Sequence, residues 1–348
     1  MSLAFMGNMI FERPLNKVKT KFALIPYLSG NASQEFDPGK AGTDFSIGGD
    51  AKIPIGNSLN LDLTVNPDFS QVEVDRQQTN LSRFSLFFPE RRNFFIENGD
   101  LFANFGFSQI RPFFSRKIGL KDGGTIPILG GARLSGKVGD NWRVGAMSMQ
   151  TDGGTAGLGQ NFSVAALQRQ VGKSSNIGII GVNRSSLENG DFVKSAFNRL
   201  LGVDYNFASA DRNHRGKVFF HKSFTFDKPA DSYAHASWYT FSTPSFRAMW
   251  NHEYVGKNYN AAVGFVPRIE RYNPQLFTIE RHGYWRLEPL LRYNFYPKKS
   301  ANLIYHGPSL YMDRYMDNSY TLTDNQLRYG YEVQFKNTSN LVAYYNQW

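Results

Sequence analysis

LNLDLTVN, Leu59 to Asn66, alternates without a fault: Leu59, Leu61, Leu63 and Val65 fall on one face of an extended chain and Asn60, Asp62, Thr64 and Asn66 on the other. A strand with one apolar and one wet side needs two different neighbours. Directly after it the alternation stops. Asn66 to Phe102, NPDFSQVEVDRQQTNLSRFSLFFPERRNFFIENGDLF, interleaves six acids (Asp68, Glu73, Asp75, Glu90, Glu97, Asp100) with four arginines (Arg76, Arg83, Arg91, Arg92) and the aromatic doublets Phe87-Phe88 and Phe94-Phe95. Near charge balance with paired aromatics suits a compact, hydrogen-bonded insert better than a solvated loop. We therefore expect residues 67–104 to fold inward as a plug, its arginines held by its acids and its phenylalanines against an inner wall. One short helix is expected around Gln78 to Phe87, ended by Pro89, which cannot continue it.

Outside this segment the chain reads as an antiparallel meander. Met1 to Lys17 look like a lead-in; Val18 to Phe36 is the first long strand, turning at Asp37-Pro38-Gly39. Thr43 to Ile55 pairs back, and Gly56-Asn57-Ser58 turns into the Leu59 strand. From Phe105 the pattern is expected to resume in stretches of roughly 10 to 14 residues, closed by Asp122-Gly123-Gly124, Gly139-Asp140-Asn141, Asp152-Gly153-Gly154 and Glu188-Asn189-Gly190. Leu201, Val203, Tyr205 and Phe207 alternate with Gly202, Asp204 and Asn206; Leu327 to Phe335 alternate with Arg328, Gly330, Glu332, Gln334 and Lys336. Charged side chains on one strand face need water or a partner, which makes that face a lumen. Met147 and Met149 break the face of Trp142, Val144 and Ala146, pointing to a bulge near Ala146 or to a plug contact. Lys222, between Phe220 and Phe224, falls on the apolar face near an interface, where it can snorkel. The segments add up to roughly 14–18 strands of an all-β, antiparallel transmembrane β-barrel, read as a single domain over residues 1–348.

Composition fits such a barrel. Mean hydropathy is −0.42 and no apolar run approaches the ~18 residues of a spanning helix, but a barrel exposes only every second residue to lipid. Aromatics make up 15%, with 30 Phe and 18 Tyr, as aromatic girdles demand. The net charge of +10 is dispersed over turns, strand ends and lumen; it suits lipopolysaccharide phosphates, and no basic stripe speaks for nucleic acid. No cysteine is present, which excludes thiolate chemistry. MSLAFMGNMIFERPLNK is not an export signal, so a chain of this type is expected to be a fragment of a longer protein.

The run LDLTVNPDFSQVEVDRQQTNLSRFSLFFPERRNFFIENGDLFANFGF, followed by RPFFSRKIGL, IPILGGARLSGK and NFSVAALQRQ, resembles the C-terminal barrel domain of a Bacteroidetes outer-membrane family of undefined function. The likeness is strong from about Lys17 to Arg184. Members of that family often carry, upstream, a module like carbohydrate-binding family nine. The resemblance thus implies a bacterial outer-membrane location, lipid and lipopolysaccharide as surroundings, and a polysaccharide or oligosaccharide as a partner.

Candidate chemistry concentrates in the insert. Asp68, Glu73, Asp75 and Glu90 offer the paired carboxylates of glycoside hydrolysis, but with Glu97 they are equally placed to pair with Arg76, Arg83, Arg91 and Arg92 as structural ties. His214, His221, His235, His252, His282 and His306 show no ligand spacing, and no GxSxG, GxxxxGK[ST] or GxGxxG motif occurs; no catalytic residue, metal or cofactor is expected. Trp250, Tyr254, Tyr259, Trp285 and Tyr311 are candidates for stacking on sugars at a rim. Three functions stay open: glycan handling or passage, anchoring of a surface module, and a glycan-acting enzyme.

Overall fold

The computed structural model describes residues 21–35, 40–67, 78–80, 84–121, 124–153, 158–227, 230–273 and 275–348. β1 (Ala23–Glu35), β2 (Lys40–Ile55) and β3 (Leu59–Val65) open an antiparallel sheet. β4 (Leu120–Lys121) and β5 (Gly124–Thr125) form a separate small hairpin. The sheet resumes with β6 (Ile128–Val138), β7 (Trp142–Thr151), β8 (Gly159–Val171), β9 (Ser175–Glu188), β10 (Asp191–Ala208), β11 (His214–Thr225), β12 (Tyr233–Ser242) and β13 (Phe246–Val255). After a second hairpin, β14 (Glu270–Asn273) and β15 (Thr278–Arg281), come β16 (Tyr284–Leu287), β17 (Leu290–Tyr293), β18 (Leu303–Asp317), β19 (Leu322–Phe335) and β20 (Asn340–Gln347).

Among the described residues the main sheet has 16 strands, running in sequence order from β1 at one end to β20 at the other, with β16 and β17 sharing one place. β16 and β17 are two halves of one crossing between β13 and β18. Pro289 stands at the break, where it has no N–H to donate to the ladder. The expected all-β antiparallel architecture and strand number are therefore present.

The turns follow from their residues. Asn189 and Gly190 both take positive φ, 51° and 91°, as a two-residue turn matched to strand twist requires. One rim carries the short turns 56–58, 139–141, 172–174 and 209–213; the other carries the long connections 66–127 and 256–283. Both long connections fold against one face of the sheet, here called the inner face. There Leu101, Phe102, Phe105, Ile110, Phe113 and Ile118 of the first and Tyr259, Val263 and Ile269 of the second meet Met147, Met149, Ile180, Leu200, Phe219 and Val255 of the strands. Polar atoms of these segments reach β2, β6, β7, β10, β11 and β19, so the sheet curls around them.

Several expectations change. The described residues of the Gln78 to Phe87 stretch, 78–80 and 84–87, are not helical, and 81–83 lie outside the described residues; among the described residues the α-helices are α1 (Asn93–Ile96) and α2 (Asp100–Ala103), both after Pro89. The insert does not end at Asn104, and no sheet strand begins at Phe105. It runs on to β6, because Phe105, Ile110, Phe113 and Ile118 point inward at irregular spacing and Pro112 interrupts any ladder. The ladder between β6 and β7 is regular through Ala146, so Met147 and Met149 break no pattern: they belong to the inner face and touch the insert. Met1 to Lys17, Asp37-Pro38-Gly39 and Asp122-Gly123 lie outside the described residues.

Candidate functional site

The inner face sorts into two halves. From β7 to β12 it is mainly apolar and covered by the inserted segments; from β13 to β20 it is lined by tyrosines, arginines and acids.

On the covered half, one expected tie within the insert is present, and others run from insert to wall. Arg92 pairs with Glu90 inside the insert itself, through Nε and Nη2 at 2.8 and 2.7 Å, and donates to the carbonyls of Ile118 and Ser115. Ser115 Oγ donates to the same carboxylate at 2.7 Å. Burial alone would raise the Glu90 pKa, but the Arg92 hydrogen bonds and charge, with Ser115, outweigh it and hold the carboxyl below its ordinary value. This cluster closes the insert on itself and leaves Glu90 ill suited to being a protonated acid.

The wall supplies the cations that reach the insert. Arg133 of β6 pairs with Asp62 of β3 at 2.7 Å and donates to the carbonyls of Phe94 and Glu97. Lys52 of β2 pairs with Glu97, and Arg143 of β7 with Asp100 at 2.8 Å. Asp204 of β10 accepts from the Gly106 N–H at 2.7 Å, from Lys217 at 3.0 Å and lies 2.8 Å from His221 Nε2. Gly145 of β7 permits the closest approach: a β-carbon there would stand 2.7 Å from both Leu101 Cδ2 and Phe102 Cζ.

The aromatic doublets also divide. Phe95 is in the core, and Phe94 packs against it. Phe87 packs tilted against Phe114 and edge-on against Phe265, so it joins the two inserted segments to each other. Of the nine residues singled out in the insert, Glu90, Arg91, Arg92 and Glu97 are placed, Glu90 meeting both backbone N–H and side chain of Arg92 and the N–H of Arg91. Asp68, Glu73, Asp75, Arg76 and Arg83 lie outside the described residues.

The second inserted segment, residues 256–282, escapes sequence reasoning. It bonds to the first at Arg111–Phe265 and Phe114–Val263, and to the wall through Asn198, which bonds Asn260 and Ala262. Burial pushes the Tyr259 hydroxyl pKa well up. Arg268 crosses the interior to pair with Asp324 of β19 and stacks 3.5 Å over Tyr315.

The half from β13 to β20 is a polar lane. Arg286 of β16 meets Glu253 at 2.9 Å, Glu288 at 3.0 Å and Asp313 at 2.8 Å. Tyr311 donates to Glu288 at 2.8 Å, and Tyr305 donates to Glu332, which also pairs with Arg292 at 2.8 Å. Arg328 lies over Tyr344 and Tyr311. Every named carboxylate has a cationic partner, so the wall is polar without being strongly charged.

The outer face carries the opposite chemistry. Leu201, Val203, Val218 and Phe220 are exposed there, while Asp62, Asp204, Asn198, His221, Glu253 and Arg133 are buried on the inner side. Near the short-turn rim, rings of Tyr205, Phe207, Tyr239, His214, Phe241, Phe246, Tyr293, Phe295, His306 and Tyr331 touch in an unbroken row, centroids 4.7 to 6.5 Å apart. Near the other rim Phe220, Tyr233, Tyr254, Trp285 and Tyr320 make a second row, 4.5 to 5.8 Å apart. Lys222 sits over Tyr233 in that row, at the end of its strand. Phe246 to Tyr254, and Trp285 to Tyr293, set the rows eight residues apart, about 26 Å along a strand at ~3.3 Å per residue. The sugar-stacking candidates do not converge: Trp250, Tyr254 and Trp285 are on the outer face, Tyr311 on the inner, and Tyr259 is buried in the core.

Residues 18–128 match a domain of unknown function (DUF5916). The match takes in β1 to β3 and the first inserted segment, stopping where β6 begins. No curated protein matches the chain. No helix among the described residues is long and apolar enough to cross a membrane, which says nothing of a β-barrel.

Proposed function

We propose that the chain forms the wall and plug of a bacterial outer-membrane β-barrel whose polar lane passes or holds polyhydroxylated solutes of the cell envelope. One observation carries the reading: two aromatic rows run along the outer face of the β10 to β19 part of the sheet about 26 Å apart along the strands, apolar side chains fill much of the surface between them, and most charged side chains there are turned inward, while Arg314 stands between the rows bonded to Asn325. A soluble sheet sandwich buries its apolar faces and exposes the others; here an apolar outer face is exposed, while the inner face holds an apolar core in one half and the paired charges in the other. Tilted strands bring the rows within reach of the roughly 25 Å apolar band of a transmembrane barrel. Between the rows, Ser237, His252 and His235 are polar, but they bond to one another at 2.7 and 3.1 Å, as a lipid-facing wall requires.

The interior supports passage on one side only. The apolar half is packed shut by the inserted segments, whereas Tyr305, Tyr311, Tyr344, Arg286, Arg292, Arg328 and their acids leave a charge-balanced wall whose ring faces and hydroxyls suit sugars better than simple ions. Lipid and lipopolysaccharide are then the surroundings, and an oligosaccharide the cargo. Insertion into a planar bilayer, followed by conductance with and without oligosaccharide, tests this. Reversible current blocks by the sugar, altered in Glu332→Gln, support the lane; insertion without current leaves an anchor, and failure to insert removes the reading.

A further inference from the structure

Three polar side chains stand in line on the outer face beside the second aromatic row. Ser237 of β12 and His252 of β13 are paired in register, and Ser237 Oγ lies 2.7 Å from His252 Nδ1. His252 Nε2 in turn lies 3.1 Å from His235 Nδ1. His235 packs 5.2 Å from Tyr254 and 5.9 Å from Trp285, so the line ends in the row itself. Satisfying polar groups against lipid needs no imidazole: on the same face Ser148 meets Ser163 hydroxyl to hydroxyl at 3.3 Å. Two histidines in line behind a serine do more. They give the hydroxyl a base, and the base an acceptor for its other nitrogen. In register with His252, Leu287 of β16 and then Arg314 of β18 continue across the face, which sets the Arg314 backbone two strand spacings, about 10 Å, from that of His252. Arg314 bonds Asn325 through Nε at 3.1 Å, and among the described residues its Nη groups have no partner.

We propose that Ser237, His252 and His235 form a nucleophilic site on the outer wall that cleaves acyl esters of phosphoglycerides, with Arg314 holding the phosphate. Ser237 Oγ bonds to the ester carbonyl carbon as its proton passes to His252 Nδ1, and His235 Nδ1 accepts from the Nε2–H of the imidazolium so formed. The carbonyl oxygen gains the charge; the indole N–H of Trp285, whose ring lies 6.3 Å from that of His252, is the donor at hand. When the carbon–oxygen bond to glycerol breaks, the leaving oxygen takes the proton from His252. Water, deprotonated by the same nitrogen, then releases the fatty acid and restores the serine. Each ester consumes one water and no other co-reactant. The lipid substrate rests on the membrane reading; the nucleophile does not.

Two measurements test this on the full chain refolded from urea, with folding checked by heat-resistant mobility. One is covalent labelling by dodecyl fluorophosphonate in detergent, mapped by peptide mass spectrometry; the other is release of radiolabelled fatty acid from phosphatidylglycerol vesicles or from dispersed diacylglycerol. The expected result is one adduct per chain, on Ser237, and release that Ser237→Ala reduces to the rate of empty vesicles. His252→Gln should slow both by roughly a hundredfold or more, as loss of a general base does. His235 is a positioning residue: His235→Phe should lower kcat with KM kept, and His235→Asn, whose Oδ1 stands in for Nδ1, should recover most of the loss. Arg314→Gln should raise KM for phosphatidylglycerol and leave diacylglycerol, which has no phosphate, unchanged. Ser163→Ala, outside the line, should change nothing. No adduct on Ser237 in folded wild type, or release that survives Ser237→Ala, overturns the proposal. An adduct in detergent on a chain that fails to insert into vesicles would keep the nucleophile and remove the membrane reading.

Discussion

Asp62 and Arg133 face each other on neighbouring strands, 2.7 Å apart and both almost wholly buried, and Arg133 spends its remaining donors on the Phe94 and Glu97 carbonyls of the insert. One side chain thus joins two strands and the inserted segment. Removing it leaves a buried carboxylate and two carbonyls unsatisfied. Arg133→Met is expected to cost roughly 3 to 5 kcal/mol, and Asp62→Asn combined with it to recover part of that loss. Unfolding by urea in detergent, with hydrogen exchange over residues 93–104, measures both.

By contrast, Lys52 and Glu97 are each nearly half exposed, 42% and 46% at their side chains. Solvent screens such a pair. Lys52→Ala is expected to change stability by about 0 to 1 kcal/mol. A loss as large as that of Arg133→Met would mean that the rim of the insert is far drier than it looks.

Glu90 makes the insert acid-sensitive. Its folded pKa lies below the ordinary value of 4.5, so the unfolded chain binds the proton more readily. The stability it contributes is complete above the unfolded pKa and is lost as pH falls through the lower folded one. Between pH 6 and pH 3, exchange over residues 90–118 should rise in the wild type and be already raised, with a shallower pH dependence, in Glu90→Gln. Equal acid slopes in the two would remove Glu90 as the cause.

Gly145 sets how closely α2 can lie on β7. Gly145→Val is expected to cost roughly 1 to 3 kcal/mol by overpacking and to loosen the Leu101–Phe102 contact first. If a lumen is closed by that contact, the variant should show higher bilayer conductance than wild type; unchanged exchange at residues 99–106 would contradict the packing.

How much of this was legible depends on periodicity. The Leu59 strand, the Leu201 strand and the Asn189-Gly190 turn obey local rules, period two and positive φ, so residue type alone places them. The inner extent of the first insert was not legible, because Phe105, Ile110, Phe113 and Ile118 follow no period. The second segment left a signal that alternation obscured: Gly256 to Gly283 is a break between sheet strands far longer than a hairpin needs, and such loops tend to carry function. Which acid meets which cation was unreadable, since Asp62–Arg133, Asp204–Lys217 and Arg292–Glu332 join strands through register. The charge balance of Asn66 to Phe102 suggested internal pairing; Glu90–Arg92 is such a pair, while Glu97 and Asp100 reach out to wall cations.

The outer wall can be probed at Leu61 and Leu201. In lipid, arginine at either costs roughly 2 to 4 kcal/mol near the midplane, while an exposed site in water would shift by about 0.5 kcal/mol. Refolding yield into vesicles against urea compares Leu61→Arg and Leu201→Arg with wild type; losses confined to the smaller figure would place both leucines in water.

The most direct test compares two tryptophans on adjacent strands. Trp250 points outward from β13 between the aromatic rows, and Trp238 of β12 is paired in register with the buried, inward Asn251. Single-tryptophan variants refolded into vesicles containing brominated lipid report which ring touches acyl chains. The account predicts strong quenching of Trp250 and little of Trp238; a Trp250 untouched by brominated lipid but freely quenched by aqueous acrylamide would contradict it.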